Sequence, residues 1–246
     1  MFGPLVVALI FFLKKSYHAA FALLLISAVL CLVIVAIARL FHSRAAKLEK
    51  PPAHLLEAPG SSKSYWIYVA AGGLIAAGFA DFSLIGFHFR KASVVNENLI
   101  PVYYATAMGA GAVGSLVLGR LLDKAGQHVV VALFFVAAFF APLVFFGNFV
   151  LALFGTVLWG LSLGAQDSLL KALLTPLIPP GKRSSGFGLF DTAFGIAWFA
   201  GSALMGFLYD KSIIAVVVFS VVLQVAALPL FVLANCQTRG TARQDT

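Results

Sequence analysis

The sequence predicts an all-α polytopic membrane protein, and three observations carry that prediction. Of 246 residues, 61% are hydrophobic and 11% are charged, where an average soluble domain carries about 25% charged residues. The mean hydropathy is +1.00. The apolar residues also come in runs of about 20, the length that a helix needs to cross roughly 30 Å of hydrocarbon. This balance excludes a soluble globular enzyme and excludes disorder, which needs the opposite composition. Continuous runs exclude an outer-membrane barrel, whose strands alternate apolar and polar residues.

Seven spans follow in order, near 19–40, 65–88, 99–122, 128–147, 149–175, 185–208 and 212–234. An eighth apolar stretch, 2–13, is half a span long. It is preceded by no basic segment and followed by Lys14 and Lys15, so it reads as the end of a helix and not as a signal peptide. One connection is long. Residues 42–63 hold Arg44, Lys47, Glu49, Lys50, Pro51, Pro52, Pro59, Gly60 and Lys63, a basic, Pro-rich linker between two bundles. Elsewhere Gly126, Asn148, Pro179-Pro180-Gly181 and Asp210-Lys211 punctuate adjacent helices. Domain organisation reads as 1–41, a truncated first bundle; 42–63, the linker; 64–235, a six-helix bundle; and 236–246, a tail.

The net charge of +8 belongs to topology. With the linker inside, that side collects Arg39, Arg44, Lys47, Lys50, Lys63, Arg120, Lys124, Lys182, Arg183, Arg239 and Arg243. The other side holds Lys14, Lys15, Arg90, Lys91 and Lys211. Basic residues concentrate in cytoplasmic loops, so the linker and C-terminus are expected in the cytoplasm of a multi-pass cell-membrane protein. A nucleic-acid partner is not expected. Cys31 and Cys236 form no disulfide framework and no metal pattern.

One loop is specific. Gly119-Arg120-Leu121-Leu122-Asp123-Lys124-Ala125-Gly126-Gln127-His128 places a turn glycine at Gly126 and, at Asp123, an acid able to face a helix N-terminus. It resembles the Gly-x-x-x-Asp-Arg/Lys-x-Gly-Arg/Lys-Arg/Lys loop of the major facilitator superfamily, in its second copy between helices 8 and 9. Gly119, Asp123, Lys124 and Gly126 match, while Gln127 and His128 replace basic residues. Numbered from that loop, the linker falls between helices 6 and 7, where the family joins its two six-helix halves. The spans after it become helices 7–12, 19–40 becomes helix 6, and 2–13 becomes the outer half of helix 5. Gly3-Pro4-Leu5-Val6-Val7-Ala8 is similar to the helix-5 signature of efflux members without its last two glycines. It also reads as a plain helix kink.

The resemblance implies a proton-coupled secondary transporter of a small solute, working by alternating access, with efflux as one direction. It also implies a chain truncated at its N-terminus, lacking helices 1–4, that needs the missing half or another copy in the bilayer. The alternative is a non-transporting half-transporter remnant or membrane scaffold that needs a partner chain.

Ionisable groups inside the spans mark candidate sites, since each costs about 2.5–3.5 kcal/mol to insert. Asp81 lies in the outer half of the second span with no evident partner, a coupling or substrate candidate. Gln166, Asp167 and Lys171 lie on the fifth span and Asp191 on the sixth, sharing the cytoplasmic third. Asp167 and Lys171 are one turn apart and are expected to pair. The trio with Asp191 reads either as a coupling site or as a salt-bridged cluster that holds the cytoplasmic end. The loop residues Gly119, Arg120, Asp123, Lys124 and Gly126 are the conformational-switch candidates. Gly160 and Gly164 read as a close-packing pair. Phe187, Phe190, Phe194 and Trp198 line either an apolar path or the bundle and lipid. His88 is expected at the outer interface. No nucleotide loop, metal pair or serine-hydrolase motif occurs in the sequence, so neither an enzyme nor a cofactor is expected.

Overall fold

The computed structural model describes residues 17–42, 63–126 and 128–242. The expected half-span at 2–13, the linker body at 43–62, Gln127 and residues 243–246 lie outside them. The described elements are α1 (Tyr17–His42), α2 (Lys63–Gly78), α3 (Phe82–Lys91), α4 (Ile100–Ala125), α5 (His128–Ala137), α6 (Phe140–Phe146), α7 (Phe149–Leu174), α8 (Arg183–Lys211) and α9 (Ile213–Ala242). Short 3₁₀ turns precede α4 and α8, and the described residues contain no strand. The chain divides into two units, Met1–Glu57 and Ala58–Thr246. The first contains α1, a helix of 26 residues. The second contains α2 to α9.

Six stretches of the second unit are helical and apolar enough to cross a membrane: Lys63–Lys91, Glu97–Ala125, His128–Phe146, Phe149–Leu177, Arg183–Lys211 and Ile213–Ala234. They coincide with the last six expected spans. The fold is all-α and polytopic, as the composition requires. The final helix continues to Ala242, past the expected end of its span near residue 234.

Two of these six spans, counted in that order, are broken. In the third, α5 and α6 are separated by a turn at 138–139. Pro142 lacks the N–H that would bond to Ala138, and its ring crowds that carbonyl. Phe139 N–H bonds instead to the nearer Val136 oxygen, at 3.2 Å. In the first span, α2 stops at Gly78 and α3 starts at Phe82, leaving Phe79, Ala80 and Asp81 outside either helix. No proline causes this. Side chains from two other spans take the freed carbonyls, so the break is a tertiary feature.

Bare backbone sets the closest contacts. α4 packs most extensively on α7, and α2 packs on both α9 and α8. A Cβ added at Gly160 would land on the backbone of Ala107, and one at Gly164 on the backbone of Gly111. A Cβ at Gly201 would meet the backbone of Ala77. The Gly160/Gly164 pair therefore serves packing inside the bundle, as expected. Where lipid matches side chains in polarity, such close approach is a main source of helix association.

The core forms two apolar clusters. One runs through Tyr65, Tyr68, Ile75, Phe134, Leu170 and Phe231, the other through Phe79, Phe89, Phe140, Val144, Trp159 and Met205. Along α9, the buried polar residues Ser220 and Gln224 fall between the two. Both bond to the Gly78 oxygen, Ser220 Oγ at 2.6 Å and Gln224 Nε2 at 3.2 Å. The polar layer thus coincides with the break in the first span.

Candidate functional site

The break exposes an acid. Asp81 sits at the N-cap position of α3 but makes no side-chain cap bond there. Its Oδ1 accepts a 2.6 Å hydrogen bond from the Trp198 indole N–H on α8. The expected lack of a partner is corrected: an indole N–H buried in an apolar span needs an acceptor as much as the acid needs a donor. Among the described residues no basic side chain forms an ion pair with Asp81.

Aromatic rings surround the break. Trp159 of α7 donates its indole N–H to the Ala80 oxygen at 2.8 Å. Phe79 is fully buried, stacked on Trp159 at 5.3 Å and edge-on to Trp198 at 5.8 Å. Phe82 lies 4.6 Å from Tyr104 of α4, ring centre to ring centre. Asp81, Phe82, Tyr104, Phe194 and Trp198 are all half-buried, so this side of the break is open while the Phe79 side is closed. Of the expected aromatic set on α8, Phe190 is buried against the bundle and Phe194 and Trp198 reach the open side. Trp198, the partner of Asp81, is the residue that reading the acids alone passes over.

The second group of candidates lies nearer the other end. Lys171 Nζ is 3.3 Å from Asp191 Oδ1. Asp167 is exposed and stays outside that ion pair, which corrects the expected Asp167–Lys171 pair. The i,i+4 rule stabilises isolated helices by a few tenths of a kcal/mol, and an acid presented by the neighbouring helix outcompetes it. Asp167 instead lines a groove of about 270 Å³ between α4 and α7, with Met108, Ser115, Leu163 and Ser168. Gln166 is buried at 3% exposure, and its Nε2 donates to Ser162 Oγ at 3.2 Å. It faces into the bundle and away from the groove.

The ion pair gives a first prediction. Lys171→Ala and Asp191→Ala should each lower the melting temperature of the purified protein, and the double variant should lose less than their sum. The coupling belongs near the lower end of the usual range of about 0.5–3 kcal/mol, because the two side chains are 46% and 51% exposed and solvent screens them. Coupling of Lys171 to Asp167 in place of Asp191 would restore the intrahelical pair.

The switch-loop candidates are placed as follows. Gly119 has nothing within 4 Å of an added Cβ, and Arg120, Asp123 and Lys124 are exposed. Gly126 adopts φ +67° and bonds its N–H to the Leu122 oxygen at 2.8 Å, ending α4. An L side chain rarely adopts that φ, so the glycine is required for the tight turn. His88 is 2% exposed, with Nδ1 3.0 Å from the Tyr209 hydroxyl. It lies near the end of α3, with its ring packed inside the bundle. Among the described residues no group of acids, histidines and cysteines could hold a metal ion.

The family model described as Major Facilitator Superfamily matches residues 1–202 and, overlapping, 98–240. The chain belongs to the major facilitator superfamily. Members of this superfamily are membrane transporters, not enzymes. The chain is also 32% identical over 164 residues to the uncharacterized protein Rv2265 of Mycobacterium tuberculosis and to the uncharacterized protein Mb2288 of Mycobacterium bovis. Those matches cover 67% of this chain and 40% of each relative, so the chain spans well under half the length of either. Within this superfamily fold, one acid stands at the break between α2 and α3 and a second lines the groove between α4 and α7.

Proposed function

We propose that the chain supplies one wall of a transport path in a proton-coupled secondary transporter for a small solute, operating by alternating access in the cell membrane. One observation carries this reading: Asp81 stands at a break in a membrane-crossing helix, half-buried and with no basic partner among the described residues. An intramembrane acid in broken helix is the arrangement that transporters use for substrate and coupling ions. Asp167, in its groove between α4 and α7, is the second candidate for a proton or solute. Efflux is the direction consistent with the sequence around Gly3-Pro4.

The linker and C-terminus lie in the cytoplasm on this reading, from the distribution of Lys and Arg. The path needs a second wall, from another six-helix half or from another copy of this chain. Glycines on α8 support that need, because Gly188, Gly195 and Gly206 have nothing within 4 Å of an added Cβ. Small residues suit an approaching helix better than they suit lipid. The same feature supports the second reading, a non-transporting scaffold that assembles with a partner chain.

Cysteine labelling tests the wall. In a chain freed of Cys31 and Cys236, Met108→Cys lies on the groove between α4 and α7. It should react with a membrane-impermeant maleimide in sealed vesicles, and Thr241→Cys should react only from the cytoplasmic face. A Met108→Cys that no aqueous reagent reaches from either side places that groove against lipid or protein and removes the path.

A further inference from the structure

We propose that the open face at the helix break is a binding site for an organic cation, with the charge at Asp81 and the apolar body on the aromatic rings of Trp198, Phe82 and Tyr104. The inference rests on the transport reading and names the substrate class of that same site.

Charge, geometry and chemistry agree on the ligand. Asp81 Oδ1 is committed to the Trp198 N–H, and among the described residues Oδ2 has no hydrogen-bond partner in the protein. An indole is a neutral donor, so the bond orients the carboxylate without cancelling its charge. An anionic solute would meet repulsion at Asp81, and a neutral one would leave its charge uncompensated.

The rings supply the other half of recognition. A cation is attracted to the face of Trp, Tyr or Phe within about 6 Å of the ring centre, most strongly where water is excluded. Trp198, Phe82 and Tyr104 are half-buried, each with part of its surface unused by the bundle. Trp198 is edge-on to Phe79 at 87° and to Phe194 at 76°. Phe82 is tilted 47° from Tyr104. None of these pairs is a face-to-face stack. A lipid-facing surface would have no use for a carboxylate beside them. A primary ammonium could donate to Oδ2, and a quaternary ammonium or phosphonium could sit against the carboxylate and the rings together.

Radiolabelled tetraphenylphosphonium tests this with the full chain in detergent micelles. Saturable binding is expected, displaced by phenyltrimethylammonium and not by tert-butylbenzene, its neutral isostere. Asp81→Asn keeps an oxygen for the Trp198 N–H and removes only the charge. It should weaken binding by about tenfold or more, the scale of one charged contact, and Asp81→Glu should recover part of the loss. Equal displacement by the hydrocarbon, or unchanged affinity in a monodisperse Asp81→Asn protein, overturns the proposal. If Asp81→Asn does not yield folded protein, the two isosteres decide on the unaltered chain. Failure of the transport reading looks different: the cation binds through Asp81 but vesicles accumulate nothing. Accumulation without cation binding sinks the cation site alone.

Discussion

Asp81→Asn should abolish proton-driven accumulation in the assembled transporter while solute exchange at saturating concentration continues. Asparagine has the same volume as aspartate and keeps the oxygen that accepts the Trp198 N–H at 2.6 Å. The fold should therefore survive. What disappears is the one group at the break that can carry a negative charge or a proton, so a pH gradient loses its handle on the cycle. Exchange needs only that loaded carrier reorients, and a weakened site is compensated by raising the solute. Accumulation and counterflow, measured side by side in proteoliposomes, separate these effects. Loss of both at saturating solute, with folded protein, would make Asp81 a structural residue. Normal accumulation would move coupling elsewhere, with Asp167 as the next acid to test.

The largest stability effect should come from Gly160→Leu. An added Cβ at Gly160 already falls on the Ala107 backbone, and Gly111 and Gly164 face each other one turn on. These contacts join α4 to α7, the most extensive helix pairing in the second unit. A leucine there cannot be absorbed by a rotamer change, because the obstacle is main chain. Overpacking of an ordinary core costs about 1–3 kcal/mol, and forcing two backbones apart should exceed that range and prevent folded expression. Gly206→Ala is the matched control, with nothing within 4 Å of its new Cβ. Fluorescence-detected gel filtration should lose the monodisperse peak for Gly160→Leu and keep it for Gly206→Ala. A native-like peak and melting temperature for Gly160→Leu would mean that α4 and α7 do not meet through their glycines.

The spans were legible because the bilayer imposes one rule on every helix: about 20 apolar residues without interruption. The expected span at 99–122 corresponds to Glu97–Ala125 and that at 149–175 to Phe149–Leu177. The small-residue pairing of Gly160 and Gly164 was legible for a related reason, since spacing of four puts both on one face. The break at Phe79, Ala80 and Asp81 was hidden. Its determinants are Trp159, Ser220 and Gln224, lying 79 to 146 residues from their partners in the chain, and no local residue announces it. The turn inside His128–Phe146 was announced by Pro142 but masked by an unbroken apolar run.

The site was half legible. Acids in apolar spans stand out by cost alone, which is how Asp81, Asp167 and Asp191 become candidates. Their partners were not, because local spacing favoured Lys171 with Asp167 while the fold offers Asp191 on the adjacent helix. Depth was the better guide: Asp191 and Lys171 had been placed in the same third of the membrane. The same comparison of depths would have matched Asp81 to the N–H of Trp198. Gln166 shows the opposite case. A polar residue beside an acid looks path-lining, yet Gln166 is buried, and its Nε2 donates to Ser162 one turn back.

The central claim is that this bundle moves a solute at the expense of a proton gradient, and uptake by the unaltered transporter in proteoliposomes tests it most directly. An imposed pH gradient should drive accumulation of an organic cation above its equilibrium level, and a protonophore that collapses the gradient should return it to that level. Accumulation that is the same with the gradient, without it and with the protonophore would contradict proton-coupled transport.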